Sequence, residues 1–260
     1  MRHLTITPML LLIAGTAAAA PTPIHVQITG QRLAIDGTCA AHVTITPDGA
    51  AGQVALDATA RNQEELAQLR FQPAGDAARL DVTGHECWRP GIGWGFERTL
   101  AITLHVAPGT AMSIEDSGGV TYGAGDVGGP LQLNLSGGVT FGAGAMTSVK
   151  IDASGGVELN IAAVKGPLDA DLSGGATVKI GHIEAPEATF DASGGVHAEI
   201  GAGSIGHLKA DASGGVELQV RATVGDAALS ASGGGDISVA QVTGRLDKDE
   251  SAGGDIRVGQ

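Results

Sequence analysis

Cysteine is nearly absent from this chain: Cys39 and Cys87 are the only two. In an exported protein an even pair is most simply a disulfide. Two free thiols, or a metal site shared with His85, are the alternatives, although the spacing is not one of the usual zinc patterns. Basic residues are scarce as well, with 28 Asp and Glu against 15 Lys and Arg, Arg2 among them. That balance argues against nucleic acid and against anionic membrane surfaces, both of which select basic patches. Long apolar runs are missing too. The best of them, Met9–Ala14, follows Arg2 and precedes the small residues Thr16–Ala20. It reads as a secretory signal, too short for a permanent anchor. Cleavage is expected near Ala19, so residues 1–19 are a signal peptide and the mature chain starts at Ala20-Pro21. No Cys follows the apolar run, so nothing marks a lipoprotein.

Glycine, by contrast, is abundant at 42 of 260 residues. An interior Gly costs a helix roughly 1 kcal/mol, so helices are not expected to dominate. Much of this glycine is periodic. Ser117, Ser136, Ser154, Ser173, Ser193, Ser213 and Ser232 each precede Gly-Gly, and Ser251-Ala-Gly-Gly254 is a degenerate eighth copy. A period near ~19 residues means one structural unit, copied and stacked.

Within a unit the apolar residues alternate with polar ones, which is strand periodicity. Leu135, Ala153, Leu172, Ala192, Ala212 and Ala231 precede the serines; Val139, Val157, Val196 and Val216 follow the glycine pair. Two residues before each serine the column is polar: Glu115, Asn134, Asp152, Asp171, Asp191, Asp211, Ser230 and Asp249. One face therefore points inward and the other meets water. Each unit is strand, Gly-Gly corner, strand, then a short third side with one apolar anchor, such as Val127, Met146 or Val164. A single coil loses ~1–2 kcal/mol of backbone entropy per residue. Each large inward side chain returns only ~1.5–3 kcal/mol. Coils must therefore stack at ~4.8 Å per rung and share one core, as in a parallel β-solenoid.

Residues 111–260 are expected to form the regular solenoid and residues 20–110 an irregular β-rich cap or early coils. Short alternating runs such as Ile24–Ile28, His42–Ile45 and Arg79–Val82 support this. Residues Thr59–Arg70 are the one helical candidate. Lys248 and Glu250 replace apolar residues of earlier coils and mark 247–260 as a polar terminal coil. Trp88, Trp94 and Phe96 crowd beside Cys87. They read either as a plug sealing the end of the stack or as ligand-binding residues that stack on a sugar or peptide.

The repeated serines invite a nucleophile reading, but equivalent copies cannot each carry a base and an oxyanion hole. They are corner residues. Gly123–Gly128 fits G-x-G-x-x-G by accident of composition, with no βαβ unit around it. The acidic column is a solvated face or, alternatively, a ladder that shares Ca²⁺. His182, His197 and His207 do not share a repeat position, so no metal ladder follows. No cofactor or metal is expected.

A β-rich start, the bridge Leu100–Ile114 and the recurring Ser-Gly-Gly-Val together resemble the bacterial "putative auto-transporter adhesin, head GIN domain" family over roughly residues 24–260. The resemblance implies a right-handed parallel β-helix at the cell envelope, periplasmic or on the surface, with no established enzymatic activity. A C-terminal β-barrel segment, which a self-exporting adhesin would use, is not found in the sequence. Two functions follow. One is a non-enzymatic adhesin or scaffold that presents a rigid acidic surface to an envelope protein or glycan. The other, by analogy of fold alone, is a lyase or hydrolase of polysaccharides. Net acidity, which repels acidic glycans, and the lack of long inserted loops weigh against the second.

Overall fold

The computed structural model describes residues 22–38, 42–82 and 100–259. Residues 1–19, expected as a signal peptide, and Cys39, Cys87, Trp88, Trp94 and Phe96 lie outside them.

From Ala111 onward each coil follows the alternation read from the sequence. One parallel sheet stacks Ala111–Ser117, Pro130–Ser136, Ser148–Gly155 and Leu168–Gly174, then 188–194, 208–214, 227–232 and Leu246–Ser251. A second stacks Val120–Ala124, Val139–Met146 and Glu158–Val164, then 177–183, 197–203, 217–224, Asp236–Val242 and Asp255–Val258. Leu131, Leu133 and Leu135 from the first sheet and Val139 and Phe141 from the second are all buried. So are the third-side anchors Val127, Met146, Val164, Ile183, Ile205 and Val224. One continuous core runs along the axis.

The third side changes along the stack. Early coils cross it by a turn, whereas strands Thr177–Gly194 and His197–Gly214 bend through it and pair along it.

The corners distinguish the two glycines of each pair. Gly137, Gly155, Gly174, Gly194 and Gly214, the first of each pair, have φ between +77° and +90°. A Cβ on Gly194 would sit 3.0 Å from the carbonyl oxygen of Gly174, while one on Gly195 would be 3.6 Å from the same atom. The first glycine is thus required both for positive φ and for the close approach of stacked corners. The second is not.

The N-terminal region is both early coil and cap, and its order along the axis is not its order in the chain. Arg32–Asp36 lies between Ala77–Val82 and Ala111–Ser117, parallel to both. His42–Thr46 lies likewise between Ala101–His105 and Val120–Ala124. Beyond them, Leu69–Ala74 pairs antiparallel with Ala77–Val82, Gln53–Thr59 antiparallel with Ala101–His105, and Ile24–Thr29 antiparallel with Gln53–Thr59. The helical candidate shrinks to one turn, Gln63–Leu66. Asn62 caps it, accepting from the Glu65 N–H at 2.9 Å, and Leu66 is buried beneath it. The flanking residues are taken by sheet pairing, which overrides local helix propensity.

Candidate functional site

The solenoid converts sequence period into surface columns. Ser117, Ser136, Ser154, Ser173, Ser193, Ser213, Ser232 and Ser251 pair rung to rung without a break. Two residues upstream the acidic column is equally in register from Glu115 to Asp249. The fold extends it further than the repeat does. Asp36 pairs with Glu115, and Asp81 with Asp36, so two more carboxylates join the same column. Their contribution is invisible in the repeat because the strands that carry them are inserted out of chain order.

Between the acid and serine columns runs a shallow groove of about 230 Å³. Asp171, Asp191, Asp211, Ser193, Ser213 and Ser232 line it. Partial burial pushes the Asp191 carboxyl above the ordinary range; Lys209 opposes this, and a hydrogen bond to Asp211 with the charges of Asp211 and Asp171 adds to it. Cations stand two residues before the acidic column. Arg79 meets Asp36 at 2.7 Å, Lys150 meets Asp169 at 2.9 Å and Lys209 meets Asp211 at 3.2 Å. The Lys150–Asp169 and Lys209–Asp211 pairs are exposed, so each adds little to stability. The groove lining offers acceptors and hydroxyls and no imidazole, so a serine there has no neighbouring base of the Ser–His kind. Among the described residues, no group of three or more His, Cys, Asp or Glu converges on a metal position.

Two further clusters have no repeat signature. In the core, Asp116 occupies the column that holds Leu135 in the next coil. Its Oδ2 accepts from the Thr38 N–H at 3.1 Å, the Thr38 hydroxyl at 2.9 Å and the Tyr122 hydroxyl, and its Oδ1 from the Ser117 N–H at 2.7 Å. Burial, followed by the Asp116 carboxylate, drives the Tyr122 phenol well above its usual pKa. The polar residue at an otherwise apolar position was the available clue.

On the cap, His105 Nδ1 lies 2.8 Å from Asp48 Oδ1 and its Nε2 3.1 Å from Asp57 Oδ2. Asp57 Oδ1 lies 2.6 Å from His25 Nδ1. The Asp48 hydrogen bond, reinforced by Asp57 and opposed by partial burial, raises the His105 pKa. These residues are distant in sequence: antiparallel pairing brings Asp57 to His25 and to the His105 strand, and the parallel pairing of Thr46 with His105 brings Asp48.

The disulfide proposed between Cys39 and Cys87 and the aromatic run Trp88–Phe96 fall outside the described residues. Their anchors do not. Asp36 pairs with Asp81 and His42 with Ala101, so both cysteines belong to connections that join the same two strand pairs of neighbouring coils.

These features define a parallel β-solenoid whose outer faces carry in-register polar columns. Residues 139–259 match the model of the family described as "Putative auto-transporter adhesin, head GIN domain". No relative matches among curated proteins. Among solved structures, the chain is similar to a "putative lipid binding protein" from Parabacteroides distasonis, with 12% identity, TM-score 0.57, and coverage of 91% of this chain and 96% of that one. It is also similar to a "putative adhesin" from Bacteroides fragilis, with 13% identity, TM-score 0.47, and coverage of 92% and 98%. A second "putative adhesin", from P. distasonis, has 13% identity, TM-score 0.49, and coverage of 91% and 97%. At such identity the first of these likenesses supports the shared fold alone. No helix among the described residues is long and apolar enough to cross a membrane.

Proposed function

We propose that this chain is an exported, non-enzymatic adhesin or scaffold of the cell envelope whose working surface is the acidic column and the serine column beside it. The observation that carries the reading is the unbroken register of polar residues from Asp81 through Asp36 and Glu115 to Asp249, carboxylates at every rung except Asn134 and Ser230. A rigid row of acceptors at ~4.8 Å intervals suits an extended partner that brings repeated donors, such as a glycan presenting hydroxyls or a basic stretch of an envelope protein. The family match and the equivalence of the serines, none distinguished by a neighbouring imidazole in the groove, both support a binding surface over a catalytic centre.

The test is binding of the labelled, signal-free chain to intact cells and to arrayed glycans, alongside a variant with Asp152, Asp171, Asp191 and Asp211 all changed to Asn. Saturable binding that the variant loses, with its circular dichroism unchanged, is the expected result. Equal binding by the variant would remove the acidic column from the function. Turnover of a glycan by the purified chain would overturn the non-enzymatic reading.

A further inference from the structure

The two ends of the stack are finished differently. At the N-terminal end the outermost strands, Leu69–Ala74 and Ile24–Thr29, run antiparallel to their neighbours. At the other end Leu246–Ser251 pairs with 227–232, and Asp255–Val258 pairs with 236–239. Neither has a described partner on its outer side. Leu246, Lys248 and Glu250 stand in register with the buried Ala227, Leu229 and Ala231, and therefore continue the core columns into the last coil. All three are exposed, Leu246 at 39%.

Within Asp255–Val258 the ladder alternates. The Asp255 N–H donates to the Gly235 carbonyl and the Gly259 N–H to that of Val239, so the N–H and C=O of Ile256 face the open end. Side chains occupy both of these groups. Lys248 Nζ donates to the Ile256 carbonyl at 2.8 Å, and the Ile256 N–H donates to Glu250 Oε1 at 2.9 Å. Two residues at core positions of one strand thus reach across the open cross-section and fill the free backbone positions of the facing strand.

We propose that Lys248 and Glu250 form a lock that keeps this end of the solenoid from pairing with a second copy of the chain. A second copy is the partner such an end would take. Two blunt edges related by a twofold axis pair antiparallel, each strand meeting its own equivalent, and the exposed core columns of both copies would be covered at once. The lock opposes this in two ways. It takes the backbone groups of Ile256 that an incoming strand would use, and it places two charges over the apolar cross-section that would have to be desolvated.

The experiment is sedimentation of the full chain across a concentration series, with a variant carrying Lys248→Leu and Glu250→Ala, the residue types found one rung earlier. High salt is used to screen Asp247 and Asp249, which the pairing would bring together. The parent is expected to stay monomeric and the variant to move toward twice the monomer mass with concentration. A folded variant that remains monomeric, or a parent that itself dimerises with loss of the dimer on truncation before Leu246, overturns the proposal. Hydrogen exchange at the Ile256 amide gives a second measurement that holds even if the double variant fails to fold. In the parent this amide is expected to be protected about tenfold more than in Glu250→Ala. A parent amide that exchanges as fast as an open edge amide overturns the lock.

Discussion

Tyr122 donates its phenolic hydrogen to the carboxylate of Asp116 inside an otherwise apolar core. Thr38 approaches both, its hydroxyl 2.9 Å from Asp116 Oδ2 and 3.1 Å from the Tyr122 oxygen. Because Thr38 follows the strand Arg32–Asp36, this buried network ties the inserted coil to the first regular one. Tyr122 also packs on Phe141, with ring centroids 6.0 Å apart, so the polar joint is anchored in the aromatic part of the core.

Tyr122→Phe should therefore destabilise the chain by about 1–3 kcal/mol, since Asp116 loses a donor where water cannot replace it. Chemical denaturation measures this. Tyr122 is the only tyrosine, so tyrosinate absorbance reports it alone. Its pKa is raised in the folded chain. Stability associated with this group is full below about pH 10, the unfolded value, and falls as pH rises beyond it. Ionisation should accompany unfolding; a phenol titrating near pH 10 in the folded chain would contradict the network.

At the corners, Gly194→Ala should destabilise by about 1–3 kcal/mol from the backbone alone, because an L side chain resists its φ of +90°. Gly195→Ala should be close to neutral, its Cβ meeting only an ordinary contact at 3.6 Å. Ser193→Ala should cost about 1 kcal/mol or less. Thermal melts of the three single variants decide the order, and equal losses at Gly194 and Gly195 would refute the distinction.

Both ring nitrogens of His105 face carboxylates, and only the imidazolium donates from both. Its raised pKa means that its stabilising contribution is complete below about pH 6.5 and is lost as pH rises through the folded value. The Thr46 hydrogen bond chiefly lowers Asp48, and the His25 hydrogen bond chiefly lowers Asp57, so their contribution is lost in acid. Hydrogen exchange in strand Ile24–Thr29 should therefore quicken, beyond the intrinsic pH effect, as pH rises above about 6.5. His105→Gln should abolish that excess; an unchanged profile would show that the cap is held by other contacts.

Partial burial and neighbouring carboxylates disfavour the charge on Asp191. Asp191→Asn should leave stability unchanged or raise it at neutral pH. Millimolar calcium should move the melting temperature little, since the column offers carboxylates without carbonyl loops to complete six to eight ligands. A rise of many degrees would turn the column into a calcium site.

A disulfide between Cys39 and Cys87 would close a long loop and contribute ~2–4 kcal/mol. Non-reducing peptide mapping of protein purified without reductant should recover the linked pair. Two freely alkylated thiols would exclude it.

From Ala111 onward the sequence alone determines nearly everything about the backbone. When every coil has almost the same length, residues about 19 apart become neighbours, so the serine column and the acidic column from Glu115 to Asp249 can be written down before any coordinates. Strand period chose which face was wet. The replacement of Leu229 and Ala231 by Lys248 and Glu250 was equally legible as a polar end, though not their hold on Ile256, because nothing in a sequence says which backbone group a long side chain will reach. The N-terminal third was decided only in three dimensions. Arg32–Asp36 lies between strands that follow it by some forty and eighty residues, and closing a longer loop costs only about 0.6 kcal/mol per doubling of length. Chain order therefore constrains such pairing weakly, and burial of Leu33 and Ile35 in the shared core decides it. The extension of the acidic column to Asp36 and Asp81, the burial of Asp116 against Tyr122, and the meeting of His105 with Asp48 and Asp57 all depend on that insertion or on the antiparallel cap. Neither leaves a period for the sequence to display.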